Sequence, residues 1–504
     1  MLLSKVLFEY ESRYANHLPL HKGRLVEETD PFVMDAGYNS MSVGKDSLFC
    51  CISGERKDGH DFATEAIHRG ASALLTERPL DLEIPQIISP DVRRDMGRLS
   101  SIIHGSPSEK LRMFAVTGTN GKSTTTWLIR HLLRSIGMRP GLIGTIVYDD
   151  GAVETEAART TPESCDIQRL LAGMIRNGCD SCVMETSSHG LQLGRLEGSR
   201  FDSAVFTNLS QEHLDYHRTL EEYFSAKARL FSVFMKGDWA GGANAEDEFA
   251  SRLLALYPER LLSFALSAEH LADVQGGDLK CTLDGTWFNL TLQGRSAPYK
   301  AFIPLPGVFN VYNVLAAISA VLPYAFDGRA LSEALSSMIQ VPGRMEKISL
   351  ENGVKCIIDF AHTPEALRNV LSELRRLCDG RIISVFGHGG ERFQPNRFSL
   401  GDFAASIADE IIVTMDNPRN EPAEQIAAQI VEGIVSSKKK TPFKTILDRK
   451  AAVYEALDSA KSGDVVVVSG KGPERFLCIG TESFPYSDAE AVKGWAAERG
   501  VRVL

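Results

Sequence analysis

Short apolar runs that end in polar, glycine-rich clusters recur along the chain. Met113 to Thr117 is an apolar run of strand type, and after it Trp127, Leu128, Leu132 and Leu133 recur at helical spacing. This predicts a strand, a glycine-rich turn and a helix. The same grammar returns at Cys182 to Thr186, which ends in ETSSHG, and at Ala204 to Thr207, which ends in NLSQEHLDYH. Upstream, Ser47 to Ile52 and Ala71 to Leu75 alternate with turn residues as far as Pro107. Beyond Val341-Pro342-Gly343-Arg344 the pattern restarts, with strands closing in DFAHTP (Asp359 to Pro364), GHGGER (Gly387 to Arg392), DNPR (Asp416 to Arg419) and GKGPE (Gly470 to Glu474). Helical stretches of roughly ten to fifteen residues intervene, as a doubly wound parallel sheet requires. The expected fold is therefore α/β with three regions: a small α/β unit over residues 1–108, a central phosphate-loop region with a parallel-rich sheet over 109–340, and a C-terminal Rossmann-like region over 341–504. Because ligands sit beyond the carboxyl ends of strands in such sheets, the polar clusters are expected to converge on functional sites.

Composition narrows the class. A chain of 504 residues exceeds one core, which agrees with several domains. With 43% hydrophobic and 24% charged residues it reads as an ordinary soluble protein, and a net charge of −10 argues against a partner bound by neutralising phosphates, so no nucleic acid is expected. The first residues, MLLSKVLFEYESRY, lack the pattern of a secretory leader, and no window approaches the ~18 apolar residues of a membrane span. A cytoplasmic protein without a membrane partner is expected. Nine cysteines are scattered, with one CxxC at Cys179 to Cys182, and they read as reduced and structural. The basic run Lys438 to Lys440 reads as a solvated loop.

Chemistry enters at the turn after Thr117. Gly118-Thr119-Asn120-Gly121-Lys122-Ser123 is a short form of the phosphate loop, in which free amides and a helix N-terminus meet at one point. Lys122 would reach the outer phosphates, and Ser123 or Thr124 would hold Mg²⁺. Glu185, at the end of a predicted strand, stands where a carboxylate would meet that ion. His213 and His217, four apart, could share a helix face, but nothing like a zinc-protease motif is present, and His213 alone is the better candidate metal ligand. Lys227 by itself reads as a solvated helix position.

In order, TGTNGKST, TTPES, METSSHGL, NLSQEHLDYH, YFSAKARLF, LPGVFNVYN, VPGRME, DFAHTP, DNPR and GKGPE resemble the motifs of the Mur ligase family over nearly the whole chain. Within that family they are most similar to members that add the third residue to UDP-N-acetylmuramoyl-L-alanyl-D-glutamate in peptidoglycan synthesis, and so serve cell shape and division. The resemblance implies a monomeric, ATP-dependent amide ligase with an N-terminal domain for the uridine nucleotide, a central ATPase and a C-terminal domain for the amino acid. It further implies an acyl phosphate formed on the side-chain carboxylate of D-glutamate. Two Mg²⁺ sites are implied, one at Ser123 and Glu185, the other shared by His213 and a CO₂-derived carbamate on Lys227. ATP would meet Gly118 to Thr124, Asn310 and Arg344. The nucleotide-sugar substrate would meet Ser40, Thr160, Thr161, Ser187 and Arg195. The amino acid, meso-2,6-diaminopimelate in members with DNPR, would meet Arg392, Asp416, Asn417, Pro418, Arg419, Gly470 and Glu474. Arg419 would offer a fork to its far carboxylate and Glu474 a partner to its ammonium.

Some positions depart from the family pattern. Pro473 replaces the usual His, NEP after DNPR is one residue short, Asn39-Ser40-Met41 replaces Asp-Ser-Arg, Glu212 replaces Asp, and His388 stands where Cys is common. L-Lysine or ornithine stays open as the added residue. The other readings are a folylpolyglutamate-synthetase-like ligase and a nucleotide-binding regulatory protein that does not turn ATP over.

Overall fold

The computed structural model describes residues 1–21, 29–54, 57–212, 214–294, 297–324 and 328–504. His213, a sequence-derived candidate, lies outside the described residues. The chain divides into two compact units. The first comprises Met1–Gly277, Leu290–Pro298 and Tyr312–Ala334; the second comprises Asp278–Asn289, Tyr299–Val311 and Leu335–Leu504.

The first unit opens with a five-stranded sheet ordered Leu20–His21, Gln86–Ile88, Ala71–Thr76, Ser47–Cys50, Asp35–Gly37. Its edge pair is antiparallel and the rest is parallel. Side chains alternate across a strand, and they do so here. Leu48 and Cys50 face Leu3, Val6, Met96 and Leu99 of the helices Leu3–Tyr14 and Val92–Ile103, while Phe49 and Cys51 face Ala63 and Ala66 of the helix Ala63–His68.

The larger sheet of this unit runs Glu154–Glu156, Val147–Asp149, Pro140–Ile143, Ser181–Glu185, Arg112–Thr117, Phe201–Phe206, Met235–Asn244, Leu261–Ala265. From Pro140–Ile143 onward the pairing is parallel. On one face Met113, Ala115, Cys182, Met184, Ala204 and Phe206 pack against Ile167, Leu171, Tyr223 and Leu230 of the helices Ser164–Arg176 and Leu220–Val233. The helix Lys122–Ser135 packs against the central strands as well. Val116 lies level with Glu185 on one side and with Val205 on the other. The three polar clusters that follow these strands therefore start at the same height.

The second unit holds a six-stranded sheet ordered Glu346–Ser349, Lys355–Asp359, Val465–Ser469, Ile382–Phe386, Glu410–Val413, Phe443–Thr445, parallel except at its first pair. Ile357, Ile382, Ile411, Val465 and Val467 face one helical layer, and Cys356, Ile358, Ile383, Ile412, Val466 and Val468 face the other. This is the doubly wound sheet expected from the sequence, buried on both faces, which is why its strands read as unbroken apolar runs. None of the described cysteines is in a disulfide. No described helix is long and apolar enough to cross a membrane.

The fully buried Arg449 locks this unit at the strand ends. Its guanidinium pairs with both carboxylate oxygens of Asp488 at 2.8 Å and donates to the carbonyls of Met415, at 3.2 Å, and Ser469, at 2.9 Å. Those carbonyls immediately precede the Asp416 and Gly470 loops. Removing one partner strands the other charge in the interior, so Asp488→Asn is expected to cost about 3–5 kcal/mol of stability, measured by urea denaturation. A loss below about 1 kcal/mol, the range of an exposed ion pair, would show that the pair does not carry this corner.

Candidate active site

The phosphate loop forms because its two glycines adopt backbone conformations that other residues resist. Gly118 has φ 144° and a Cβ there would lie 1.9 Å from Thr207 Oγ1; Gly121 has φ 85° and a Cβ would lie 2.3 Å from Asn313 Oδ1. The cluster after the Phe206 strand braces the loop. Thr119 N donates to Asn208 O at 2.9 Å, Asn120 N to Asn208 Oδ1 at 3.0 Å, and Thr207 Oγ1 to Asn120 O at 2.7 Å. Helix Lys122–Ser135 starts directly behind, so its N-terminal amides face the loop.

Glu185 anchors the centre of the site and is 1% exposed. Its carboxylate accepts only neutral donors among the described residues: Ser123 Oγ at 3.1 Å, Thr145 N at 2.8 Å and Thr145 Oγ1 at 2.9 Å. Thr145 Oγ1 also lies 3.0 Å from Thr160 Oγ1. Thr161 Oγ1 donates to Glu185 O at 3.0 Å and accepts Ser187 N and Ser187 Oγ, both at 3.0 Å. Arg195 Nη1 donates to Thr161 O at 3.1 Å. Ser123, Glu185, Thr160, Thr161, Ser187 and Arg195, predicted from four separate segments, thus form one continuous hydrogen-bonded chain.

Guanidiniums crowd its far end. Arg93, Arg159 and Arg195 lie 3.2, 2.6 and 3.1 Å from the buried Glu163 carboxylate. Burial and the neighbouring arginines pull the Arg195 pKa below its ordinary value. Three cations over one carboxylate leave positive charge to spare, which suits a polyanionic substrate. Ser40 lies elsewhere in this unit and donates to Glu65 at 2.9 Å. Beside it Asp35, Tyr38, Asn39, Ser42, Asp166 and Arg169 help line a polar cavity of about 330 Å³.

Lys227 is not solvated, contrary to the reading of that residue in isolation. It is 1% exposed, its Nζ donates to Gly118 O at 2.7 Å, and its ammonium lies 4.5 Å from the Tyr223 ring centroid. Lys122 Nζ donates to the same Gly118 carbonyl at 3.0 Å and to Thr119 O at 2.7 Å. Burial, and then the Lys122 charge, push the Lys227 pKa far below that of an ordinary lysine. His217 is buried, with Nε2 2.9 Å from Ser188 Oγ. Among the described residues no cluster of three His, Cys, Asp or Glu could hold a metal ion. The oxygen donors of Ser123 and Glu185 nonetheless fit Mg²⁺, because the carboxylate is buried without an ion-pair partner among the described residues and every donor is a hard oxygen.

In the second unit, Asn310 is buried with Nδ2 2.8 Å from Pro306 O, and Arg344 stacks over Phe360 at 4.8 Å. The loops predicted for the amino acid meet each other. Arg419, at φ 53°, donates from Nη1 to Gly390 O at 2.6 Å. Its backbone is gripped by the hairpin formed by strands Phe476–Ile479 and Glu482–Pro485, through Arg419 N to Cys478 O at 3.2 Å and Gly480 N to Arg419 O at 2.7 Å. Asn417 Nδ2 reaches Glu474 Oε2 at 2.8 Å, Asp416 is buried, and Arg392 is exposed. The buried Arg397 ties both loops together, donating to Glu421 Oε2 at 2.7 Å, to Gln429 Oε1 at 2.8 Å and to His388 Nδ1 at 3.4 Å. Burial and the Arg397 charge lower the His388 pKa to about 4, which keeps it neutral at pH 7.

Sequence reasoning missed Thr145, Asn208, Glu163, Arg397 and Lys471. Thr145 and Lys471 each follow the end of a strand by two residues, a signal that was available. Arg397 and Glu163 sit inside helices or their caps, where nothing local marks them.

Three family descriptions match successive segments: "Mur ligase family, catalytic domain" over residues 35–102, "Mur ligase middle domain" over 116–321, and "Mur ligase, glutamate ligase domain" over 343–472. A UDP-N-acetylmuramoyl-L-alanyl-D-glutamate–2,6-diaminopimelate ligase of Bacillus licheniformis is 37% identical over 503 residues, covering 98% of this chain and 99% of its own. The enzyme of the same name from Aquifex aeolicus is 39% identical, covering 90% and 92%. A solved structure carrying that name superimposes with a TM-score of 0.66 at 32% identity, covering 93% of this chain and 95% of its own. Similarity of this extent, together with the phosphate loop and its ring of polar strand ends, places the chain in the Mur ligase family.

Proposed function

We propose that this protein is the ATP-dependent ligase that joins meso-2,6-diaminopimelate to UDP-N-acetylmuramoyl-L-alanyl-D-glutamate, a cytoplasmic step of peptidoglycan precursor synthesis. The hydrogen-bonded chain running from Ser123 through Glu185 and Thr161 to Ser187 carries the reading, because it joins a nucleotide phosphate loop to a second set of polar groups suited to an acyl substrate. The names of the similar proteins agree with it, and they favour it over folate-ligase and non-catalytic readings. The domain roles follow: uridine at the first sheet near Ser40, phosphoryl transfer at the phosphate loop, and amino acid at the second unit's strand ends.

A carboxylate is a poor electrophile, and a phosphoryl group gives it a leaving group. In the first step an oxygen of the D-glutamate side-chain carboxylate attacks the γ-phosphorus of ATP, and ADP departs, leaving an acyl phosphate. In the second the amine attacks the acyl carbon and inorganic phosphate leaves. Two anions must approach in the first step. The amides at the start of helix Lys122–Ser135 and the Lys122 ammonium face the charge on the phosphates, while the excess arginine charge around Glu163 holds the acyl substrate. Bound Mg²⁺ would neutralise phosphate oxygens at Ser123 and Glu185. The depressed Lys227 pKa favours the neutral amine, the form that combines with CO₂. The resulting carbamate, with His213, would supply a second metal site.

Phosphate release from ATP is expected to require both the UDP-muramoyl dipeptide and the amino acid, and release indifferent to the dipeptide would refute the ligase reading. Lys227→Ala is expected to lower turnover by at least about a hundredfold, the scale of losing one preorganised electrostatic group, with partial rescue by short carboxylates such as acetate. Normal turnover in that variant would remove the carbamate. Arg419→Ala is expected to raise KM for diaminopimelate by about tenfold or more while KM for ATP moves less than about twofold, as loss of one charge-assisted fork implies. Equal effects on both constants would take Arg419 out of the amino-acid site.

A further inference from the structure

Glu474, the expected partner of an ammonium group, already has one. Lys471 Nζ donates to Glu474 Oε2 at 2.8 Å and to Asn417 Oδ1 at 3.0 Å. Asn417 Nδ2 donates to the same Glu474 oxygen at 2.8 Å, which closes the triangle. Asn417 Oδ1 also accepts Cys478 N at 2.9 Å, so both ends of the Asn417 amide are engaged inside the protein. Lys471 is 0% exposed, whereas the Glu474 side chain is 37% exposed. The lysine is thus a fixed part of the wall, and the carboxylate is the face it presents. Asp416 Oδ1 lies 3.9 Å from Lys471 Nζ and shares its influence with Arg449.

Beside the Arg397–Glu421 and Arg449–Asp488 pairs, the charges on these loops are Arg392, Arg419 and Lys471 against Glu391, Asp416 and Glu474, so the two signs balance. A ligand whose far end carries an ammonium and a carboxylate adds no net charge and gives each of Arg419 and Glu474 an opposite. One whose far end is a lone ammonium adds a cation to a site already compensated by Lys471. We propose that Lys471 is a specificity-determining positioning residue: by holding and neutralising Glu474 in advance, it favours an amino acid with a zwitterionic far end over one ending in an ammonium alone. The proposal rests on the ligase reading above. It assigns the discrimination to charge balance, which accommodates Pro473 at the position where relatives usually carry His.

The test measures kcat/KM for meso-diaminopimelate and for L-lysine with the full-length enzyme at saturating ATP and UDP-muramoyl dipeptide, in the wild type, Lys471→Met, Lys471→Arg and Glu474→Gln. Lys471→Met, which leaves the Glu474 charge uncompensated, is expected to lower the diaminopimelate-over-lysine ratio by about tenfold or more, with KM for ATP unchanged. Lys471→Arg, which keeps the cation, should retain most of the ratio. Glu474→Gln, which leaves the Lys471 charge uncompensated, should weaken both substrates but lysine more, moving the ratio in the opposite direction. If Lys471→Met does not fold by circular dichroism, the sign of the Glu474→Gln shift decides. A ratio that stays within about twofold of wild type in every folded charge variant, the scale of noise for a surface charge, overturns the proposal. So does an equal loss for both amino acids accompanied by a raised KM for ATP. Wild-type enzyme that joins neither amino acid would instead refute the ligase reading, and the proposal with it.

Discussion

A carboxylate buried at the end of a central strand and satisfied, among the described residues, by neutral donors alone is the constraint on which the first unit is built. Glu185 can stay at 1% exposure only because Ser123 and Thr145 bring donors to both of its oxygens. Those donors come from the first turn of one helix and from the loop after another strand, so Glu185 ties the phosphate loop to the loop that carries Thr145. Thr161 then uses the Glu185 carbonyl to fix Ser187 and the Arg195 contact.

The second unit solves a related problem with ion pairs. Loops that carry several charges must hold those groups apart from one another and from water's competition. The Arg449–Asp488 fork sets the strand ends from which the Asp416 and Gly470 loops depart, Arg397 clamps the Gly387 and Arg419 loops through Glu421 and His388, and Lys471 completes the arrangement at Glu474. Arg419 and Glu391 sit at positive φ of 53° and 56°, a strained backbone for such side chains that persists only where the surroundings hold it. The hairpin bonded to Arg419 on both sides of its peptide unit supplies that hold.

Local pattern marked the strands that end in polar clusters, the glycine positions of the phosphate loop, and the alternating strand and helix texture of the C-terminal region. These depend on local periodicity and on backbone conformations that only glycine tolerates, and both are written in neighbouring residues. Glu185 was legible from its place at a strand end, whereas Thr160, Thr161, Ser187 and Arg195 were legible only through motifs shared with the Mur ligase family. It took the folded chain to show that they form one hydrogen-bonded network through Thr145 and Thr161, that Lys227 is buried beside Lys122 rather than solvated, and that Glu474 arrives already paired with Lys471. Burial and charge compensation depend on what the rest of the chain brings within a few ångströms, across separations of 109 residues for Lys227 and Gly118 and 62 for Ser123 and Glu185, and no local pattern encodes the partner at the other end.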